Sequence, residues 1–483
     1  MHLSDEQGKE RTEMKKKGWI LAAVGCMSLS LFCNGQSMAT MSTYIPGAHS
    51  VTVQRFDDLT TNNATIGKLS EGIRAFLYAN DWSPDGKTAK KPAWYTSKEK
   101  IPGLQIEGMF ADSRFVIRIP DQWNGKLVMG SVPGMRDERS TDDVFNDYVI
   151  TRGFAYAATD KGTLGEQIPA PDGKIYPFAK ALTVFVDPQD RVVKWTVCLR
   201  QLTLATQDLL FRTKGKRPSR TYLMGYSNGG YPVRYALERE SELYDGGVDW
   251  SGIIWRGYDA NLISSLVEAL NSFRTYSDKE ASAEQKAAAL KRVRALGLPE
   301  GAEFLWPFYA TFYYLATINI FRMAYDPTFL NRSWWEYGLN PQDYKDYDYF
   351  SRPAPVKEAI AKSENTGDIK KPLITIHGLW DSFIFSNVHA IPYERLVKER
   401  KKEALYRLYL IDRGTHLDAL IGKPDMDPTK KLQPLLPYVH QAFDLLIDWV
   451  EAGKAPPASK TIGKPSTEGK VYNISTGAEI DPY

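Results

Sequence analysis

The stretch TYLMGYSNGGYPVRYAL, from Thr221 to Leu237, restricts the folds open to this chain more than any other. Thr221 to Met224 form a short apolar run bounded by glycine, the pattern of a buried strand. Tyr231 to Leu237 lead into a helical pattern. Between them, Gly225-Tyr226-Ser227-Asn228-Gly229 must turn a strand into a helix. A serine at the tip of such a turn stands exposed at a sheet edge. Small residues two positions before and after it prevent clashes. Gly225 and Gly229 fill those positions.

The pattern also fits an ordinary glycine-rich turn, so the rest of the chain must supply the chemistry. A serine hydroxyl is a weak nucleophile at neutral pH. It needs a base in contact and a third group that orients the base. In a strand–turn–helix setting these follow the serine in the order acid, then histidine. Beyond the leader the histidines are His49, His377, His389, His416 and His440. His49 precedes Ser227. His440 lies in a C-terminal helical pattern, and His389 near the start of another helix. His377 ends a strand, where it shapes an HG turn. His416 follows the strand LYRLYLI in a turn opened by Gly414 and is the expected base. Asp381, beyond the strand PLITIHG, is the expected acid. The 35 positions from Asp381 to His416 hold one helix and one strand. Asp412 and Asp418, which flank His416, read as surface charge or turn caps.

An acyl transfer also needs donors for the developing oxyanion. One is the N–H of Asn228, the residue after the serine. The other belongs to the loop after the strand KLVMGS. Pro133 has no N–H, which leaves Ser131, Val132, Gly134 and Met135 as candidates. ATDKGT ends a further strand on the same edge. Asp160 and Lys161 therefore border the pocket or form a structural ion pair. Tyr226, beside the serine, is another pocket candidate.

Strand and helix patterns alternate from Leu104 onward, which implies an α/β fold with a mostly parallel sheet covered on both faces. The expected organisation is a leader over 1–39, an N-terminal extension over 40–103, a core over 104–256 and 369–455, and a tail over 456–483. Residues 257–368 break the alternation with helical, strongly aromatic segments and read as an inserted helical cap. Its Tyr, Trp and Phe residues supply the cap's own core, line a pocket, or both. The DYKDYDY run holds Asp343, Asp346 and Asp348 but lacks the glycine and spacing of a calcium loop, so no metal is expected. Nothing in the chemistry calls for an organic cofactor.

With a net charge of +3 and no basic stripe interleaved with aromatics, nucleic acid is not an expected partner. Lys15-Lys16-Lys17, the apolar run Gly18–Cys33 and the small residues Ser37 and Ala39 form a signal-peptide pattern, with Met14 a candidate start. The chain is expected to be secreted or periplasmic, without a stable membrane anchor after cleavage near Ala39. Lipidation at Cys26 fits the pattern poorly. Cys198 is then the single cysteine of the mature chain, so no internal disulfide forms. Its surroundings repeat at helical spacing, which places it inside a helix.

Taken together, GYSNGG, the order Ser227, Asp381, His416, and the motifs WNGKLVMGSVPG, TDKG and DWVEAGKAPP resemble the α/β-hydrolase superfamily over roughly residues 104–455. Within it the chain is similar to secreted tannase and feruloyl-esterase-type enzymes and hydroxybutyrate-oligomer hydrolases. The resemblance implies hydrolysis of carboxylic esters, often aromatic or oligomeric, through an acyl-enzyme. Tannase-type enzymes typically join the residue before the serine to the residue after the histidine by a disulfide; here those residues are Tyr226 and Leu417. A serine peptidase of the prolyl-oligopeptidase type also carries such motifs. The long interval from Ser227 to Asp381 and the absence of propeller repeats upstream argue against it. A catalytically inactive binding protein on the same fold is the remaining alternative.

Overall fold

The computed structural model describes residues 44–93, 97–111, 113–163, 173, 192–330 and 340–482. The leader with Cys26 and Cys33, and residues 331–339 of the aromatic stretch, lie outside the described residues.

A ten-stranded sheet organises the chain. Its strands are β1 (His49–Phe56), β2 (Gly103–Met109), β3 (Arg114–Pro120), β4 (Lys126–Ser131), β5 (Ala155–Thr159), β6 (Arg220–Tyr226), β7 (Gly246–Trp250), β8 (Leu373–Gly378), β9 (Tyr406–Ile411) and β10 (Lys460–Ile462). Their spatial order is β1-β2-β3-β5-β4-β6-β7-β8-β9-β10. β1 pairs antiparallel with β2, β2 with β3, and β3 with β5. From β5 onward all pairs are parallel. The parallel strands are apolar along most of their length because helices cover both faces. Every residue of β5, β7 and β8 is buried.

Helices α1 (Ala64–Leu77), α2 (Val193–Lys214), α3 (Gly230–Arg239), α4 (Leu262–Ser277), α5 (Ala283–Leu296), α6 (Tyr314–Tyr325), α7 (Ala354–Ala361), α8 (Ala390–Glu399) and α9 (Leu436–Ala452) complete the frame. Their ends carry local signals. Asn261 and Ser282 form capping boxes with Ser264 and Gln285. α2 and α9 stop at Gly215 and Gly453, both left-handed, as helix C-termini favour. Cys198 is buried in α2 beside Trp195, Leu199 and Leu202, as its helical spacing implied. Helices α4 to α7 all lie between β7 and β8. Among the described residues, no helix is long and apolar enough to cross a membrane.

Three details differ from the sequence pattern. β1 comes from the segment read as an extension, and β10 from the tail, so each edge of the sheet gains a strand. Both are largely exposed edge strands, so they lack the clear apolar alternation of a half-buried strand. The run VDWSGIIW, apolar enough along its length to read as one strand, is strand only as far as Trp250. Ser251 takes a φ of 46°, and the chain leaves the sheet. Ile253, Ile254 and Trp255 are apolar because they are buried in a loop. His389 Nδ1 accepts the Ile254 N–H at 3.1 Å.

Candidate active site

The parallel strands deliver their C-terminal loops to one edge, and three of these loops meet there. β6 ends at Tyr226. Ser227 follows with a φ of 59°, and α3 starts at Gly230. The elbow is tight for a spatial reason. A Cβ at Gly225 would sit 2.3 Å from the Gly229 carbonyl oxygen, and one at Gly229 only 2.1 Å from Ser131 O. Gly230 is equally confined, 2.1 Å from Asp249 Oδ1. Both flanking glycines therefore serve close backbone approach, and Gly229 seats the elbow on the loop after β4. Beneath it, buried Arg234 donates to Asp249 at 2.7 Å, and Asp249 also accepts from Thr375 at 3.1 Å.

Ser227 Oγ lies 2.9 Å from His416 Nε2, and His416 Nδ1 lies 2.7 Å from Asp381 Oδ2. All three side chains are almost fully buried. The other Asp381 oxygen accepts the N–H groups of Phe383 at 3.0 Å and Ile384 at 2.7 Å, which fixes the carboxylate plane. The acid and histidine loops are zipped together. Leu379 N donates to Ile411 O at 2.8 Å and Trp380 N to Gly414 O at 2.9 Å. Gly378 and Gly414 touch, and a Cβ on Gly378 would lie 2.2 Å from Gly414 O.

The remaining histidines stand apart from Ser227. His377 Nε2 bonds Ile384 O at 2.8 Å and so shapes the acid loop. Burial lowers its pKa, and lowers that of His389 much further. His440 stacks on Tyr148 at 3.6 Å and bonds Val144 O. Burial pulls it down to about 3. His49 is exposed on β1. Asp418 is buried and accepts the Leu435 and Leu436 N–H groups at 2.9–3.0 Å, capping α9. Asp412 lies near Arg413, 3.7 Å away.

Tyr226 bridges the elbow and the histidine loop. Its ring stacks on Trp250 at 4.1 Å, and its hydroxyl donates to His416 O at 2.5 Å. A hydrogen bond thus joins the two segments that tannase-type enzymes join covalently. Two tyrosines from the helical segment also hold these loops. Tyr309 and Thr415 hydroxyls lie 3.0 Å apart, and Tyr314 donates to Ser382 O. Composition marked the segment as aromatic, but these hydroxyl contacts are visible only in three dimensions.

Asp160 and Lys161 are buried and play separate roles. Asp160 accepts the N–H groups of Arg114 at 3.0 Å and Gly162 at 2.8 Å. Lys161 donates instead to backbone carbonyls of the loop after β4, at Val132 and, at 3.1 Å, Gly134. Among the described residues, no group of three or more His, Cys, Asp or Glu is arranged to hold a metal ion.

Ser227 and His416 open on a cleft of about 700 Å³ including its mouth. One wall is Pro133, Gly134, Met135 and Arg136; the other is Phe312, Tyr313, Ala316, Ile320 and Phe321 from the helical segment. Phe383 stands edge-on to the His416 ring at 5.2 Å. Among the described residues, Arg136 is the only Lys, Arg, Asp or Glu lining this cleft, a feature the sequence did not single out.

No protein-family model matches the chain. The fold is that of the α/β-hydrolases. Feruloyl esterase B from Aspergillus oryzae superposes with a TM-score of 0.51 at 14% identity, covering 89% of this chain and 90% of that one. An esterase from Aspergillus oryzae gives 0.50 at 12% identity, covering 92% and 93%. In sequence, the chain is 28% identical over 147 residues to a mono(2-hydroxyethyl) terephthalate hydrolase from Piscinibacter sakaiensis. That match takes in 29% of this chain and about a quarter of the relative, 23% of its length.

Proposed function

We propose that this chain is an exported serine hydrolase of carboxylic esters, with the helical segment acting as a cap over the reacting serine. The observation that carries this reading is the continuous contact from Ser227 Oγ through the His416 ring to Asp381, at the base of an apolar cleft. In the proposed reaction His416 Nε2 takes the Ser227 proton as Oγ attacks the ester carbonyl. Asp381 keeps the proton on Nδ1 and stabilises the imidazolium. The tetrahedral oxyanion is met by the Asn228 N–H and a second amide of the 131–135 loop. His416 returns its proton to the leaving alcohol, and water repeats the sequence to release the acid.

The aromatic wall favours an aromatic or bulky apolar ester. The names of the similar proteins, a feruloyl esterase and a terephthalate monoester hydrolase, support an aromatic acyl group. The test is hydrolysis of p-nitrophenyl, feruloyl, galloyl and hydroxybutyrate esters beside a prolyl peptide, by wild type and Ser227→Ala. Ester turnover that vanishes with Ser227→Ala supports the reading. Peptide cleavage without ester turnover overturns it.

A further inference from the structure

Lys161 has an unusual environment for a lysine. Its side chain is fully buried, and among the described residues no carboxylate lies within ion-pair distance of Nζ. Lysine is almost never fully buried unless paired. Its donors go to two main-chain carbonyls, Val132 O and Gly134 O, while Nζ sits 5.3 Å over the Trp195 ring. The backbone of Lys161 is itself left-handed, at a φ of 60°. Thr159 Oγ1 and Asp160 Oδ1 hold that turn by accepting the N–H groups of Lys161 and Gly162. A strained, hydrogen-bonded turn thus delivers a buried ammonium to one short loop. That loop lies beside the elbow, since Ser131 O and Val132 O are the atoms that confine Gly229.

Peptide geometry turns these contacts into directions. No cis peptide is present among the described residues, so each carbonyl points opposite to the N–H of the next residue. Ser131 O faces Gly229, which turns the Val132 N–H away from the elbow. Val132 O faces Lys161, and the next residue is Pro133, with no N–H. Gly134 O also faces Lys161, so the Met135 N–H faces the other way, toward the cleft that Gly134, Met135 and Ser227 line together. Among the described residues, neither the Met135 nor the Asn228 N–H has a hydrogen-bond partner.

We infer that Lys161 is a positioning residue for the oxyanion site: by holding the Val132 and Gly134 carbonyls it aims the Met135 N–H at the oxygen developing above Ser227. The inference rests on the serine-hydrolase reading. Burial lowers the Lys161 pKa to about 7. A neutral amine still has two N–H groups for the two carbonyls, so the clamp survives deprotonation.

The experiment compares wild type, Lys161→Met and Lys161→Gln, with Ser227→Ala as control. The readouts are kcat and KM on p-nitrophenyl butyrate, the Ki of phenylboronic acid as a tetrahedral mimic, and the melting temperature. Losing one oxyanion donor typically lowers kcat by about 10²-fold or more. The expected result for Lys161→Met is a kcat about 10²-fold lower, a comparable loss of boronate affinity and a KM within about threefold of wild type. Lys161→Gln, which keeps an N–H donor group on a shorter side chain, should fall between, and it carries the test if Lys161→Met does not fold. A variant that matches wild type in kcat and boronate affinity overturns the role of Lys161. So does one that loses activity only in proportion to folded protein. Turnover that persists in Ser227→Ala overturns the serine-hydrolase reading instead.

Discussion

Tyr226→Phe removes one oxygen and nothing else from the bridge between elbow and histidine loop. The ring still stacks on Trp250. What disappears is the 2.5 Å hydrogen bond to His416 O, inside a fully buried environment. A buried acceptor left without its donor costs about 1–3 kcal/mol. If the whole penalty appeared in the barrier, at about 1.4 kcal/mol per factor of ten, kcat would fall about 5- to 150-fold. Part of it will appear as lost stability, because the same bond ties two loops of the folded chain. The expected outcome is a kcat about tenfold lower with KM nearly unchanged, and a urea midpoint lowered by the equivalent of about 1 kcal/mol. Steady-state kinetics and urea titration of the same preparation measure both. A Tyr226→Phe enzyme equal to wild type in kcat and midpoint refutes the claim that this hydroxyl holds the histidine loop.

Other perturbations separate the parts of the site. Asp381→Asn should lower kcat by about 10⁴-fold without unfolding, because an amide presents the wrong partner to His416 Nδ1; steady-state kinetics beside circular dichroism check it. Gly229→Ala should abolish turnover, since its Cβ would fall 2.1 Å from Ser131 O and push the elbow off the loop after β4; a structure of the variant would reveal the displacement. Arg136→Leu should weaken kcat/KM for an ester bearing a distal carboxylate more than for its neutral analogue, because Arg136 is the only permanent charge among the described residues of the cleft; paired substrates read this directly. Glu138 is largely buried, and burial raises its carboxyl from 4.5 to about 7. The fold therefore holds a proton that the unfolded chain releases at lower pH. This stability is complete below pH 4.5 and is lost as pH rises through about 7, by roughly 3 kcal/mol. Glu138→Gln should flatten that slope in urea titrations across pH 4 to 8.

Local chemistry explains how far the sequence could be read. Gly225, Ser227 and Gly229 stand out because an elbow demands specific residues at fixed offsets. Asp381 and His416 follow from strand ends in a required order. The parallel strands are legible because burial on both faces makes them apolar runs. β1 and β10 are not, since exposed edge strands need no such pattern. The end of β7 was also hidden, because the apolar residues after Ser251 are buried whether the chain continues as strand or turns away. Lys161 and the Tyr226, Tyr309 and Tyr314 hydroxyls act across long sequence separations, on backbone carbonyls or a threonine hydroxyl. No local pattern encodes such a partner, so these contacts emerge only from the fold.

The central claim is that Ser227 attacks an ester and carries the acyl group. Rapid quenching of wild-type enzyme with excess p-nitrophenyl ester, followed by peptide mass spectrometry, tests it most directly. The expected result is a p-nitrophenol burst equal to the enzyme concentration, with one acyl group on the peptide containing Ser227 and neither signal in Ser227→Ala. Turnover that survives Ser227→Ala, or an adduct on another residue that survives it, would contradict it.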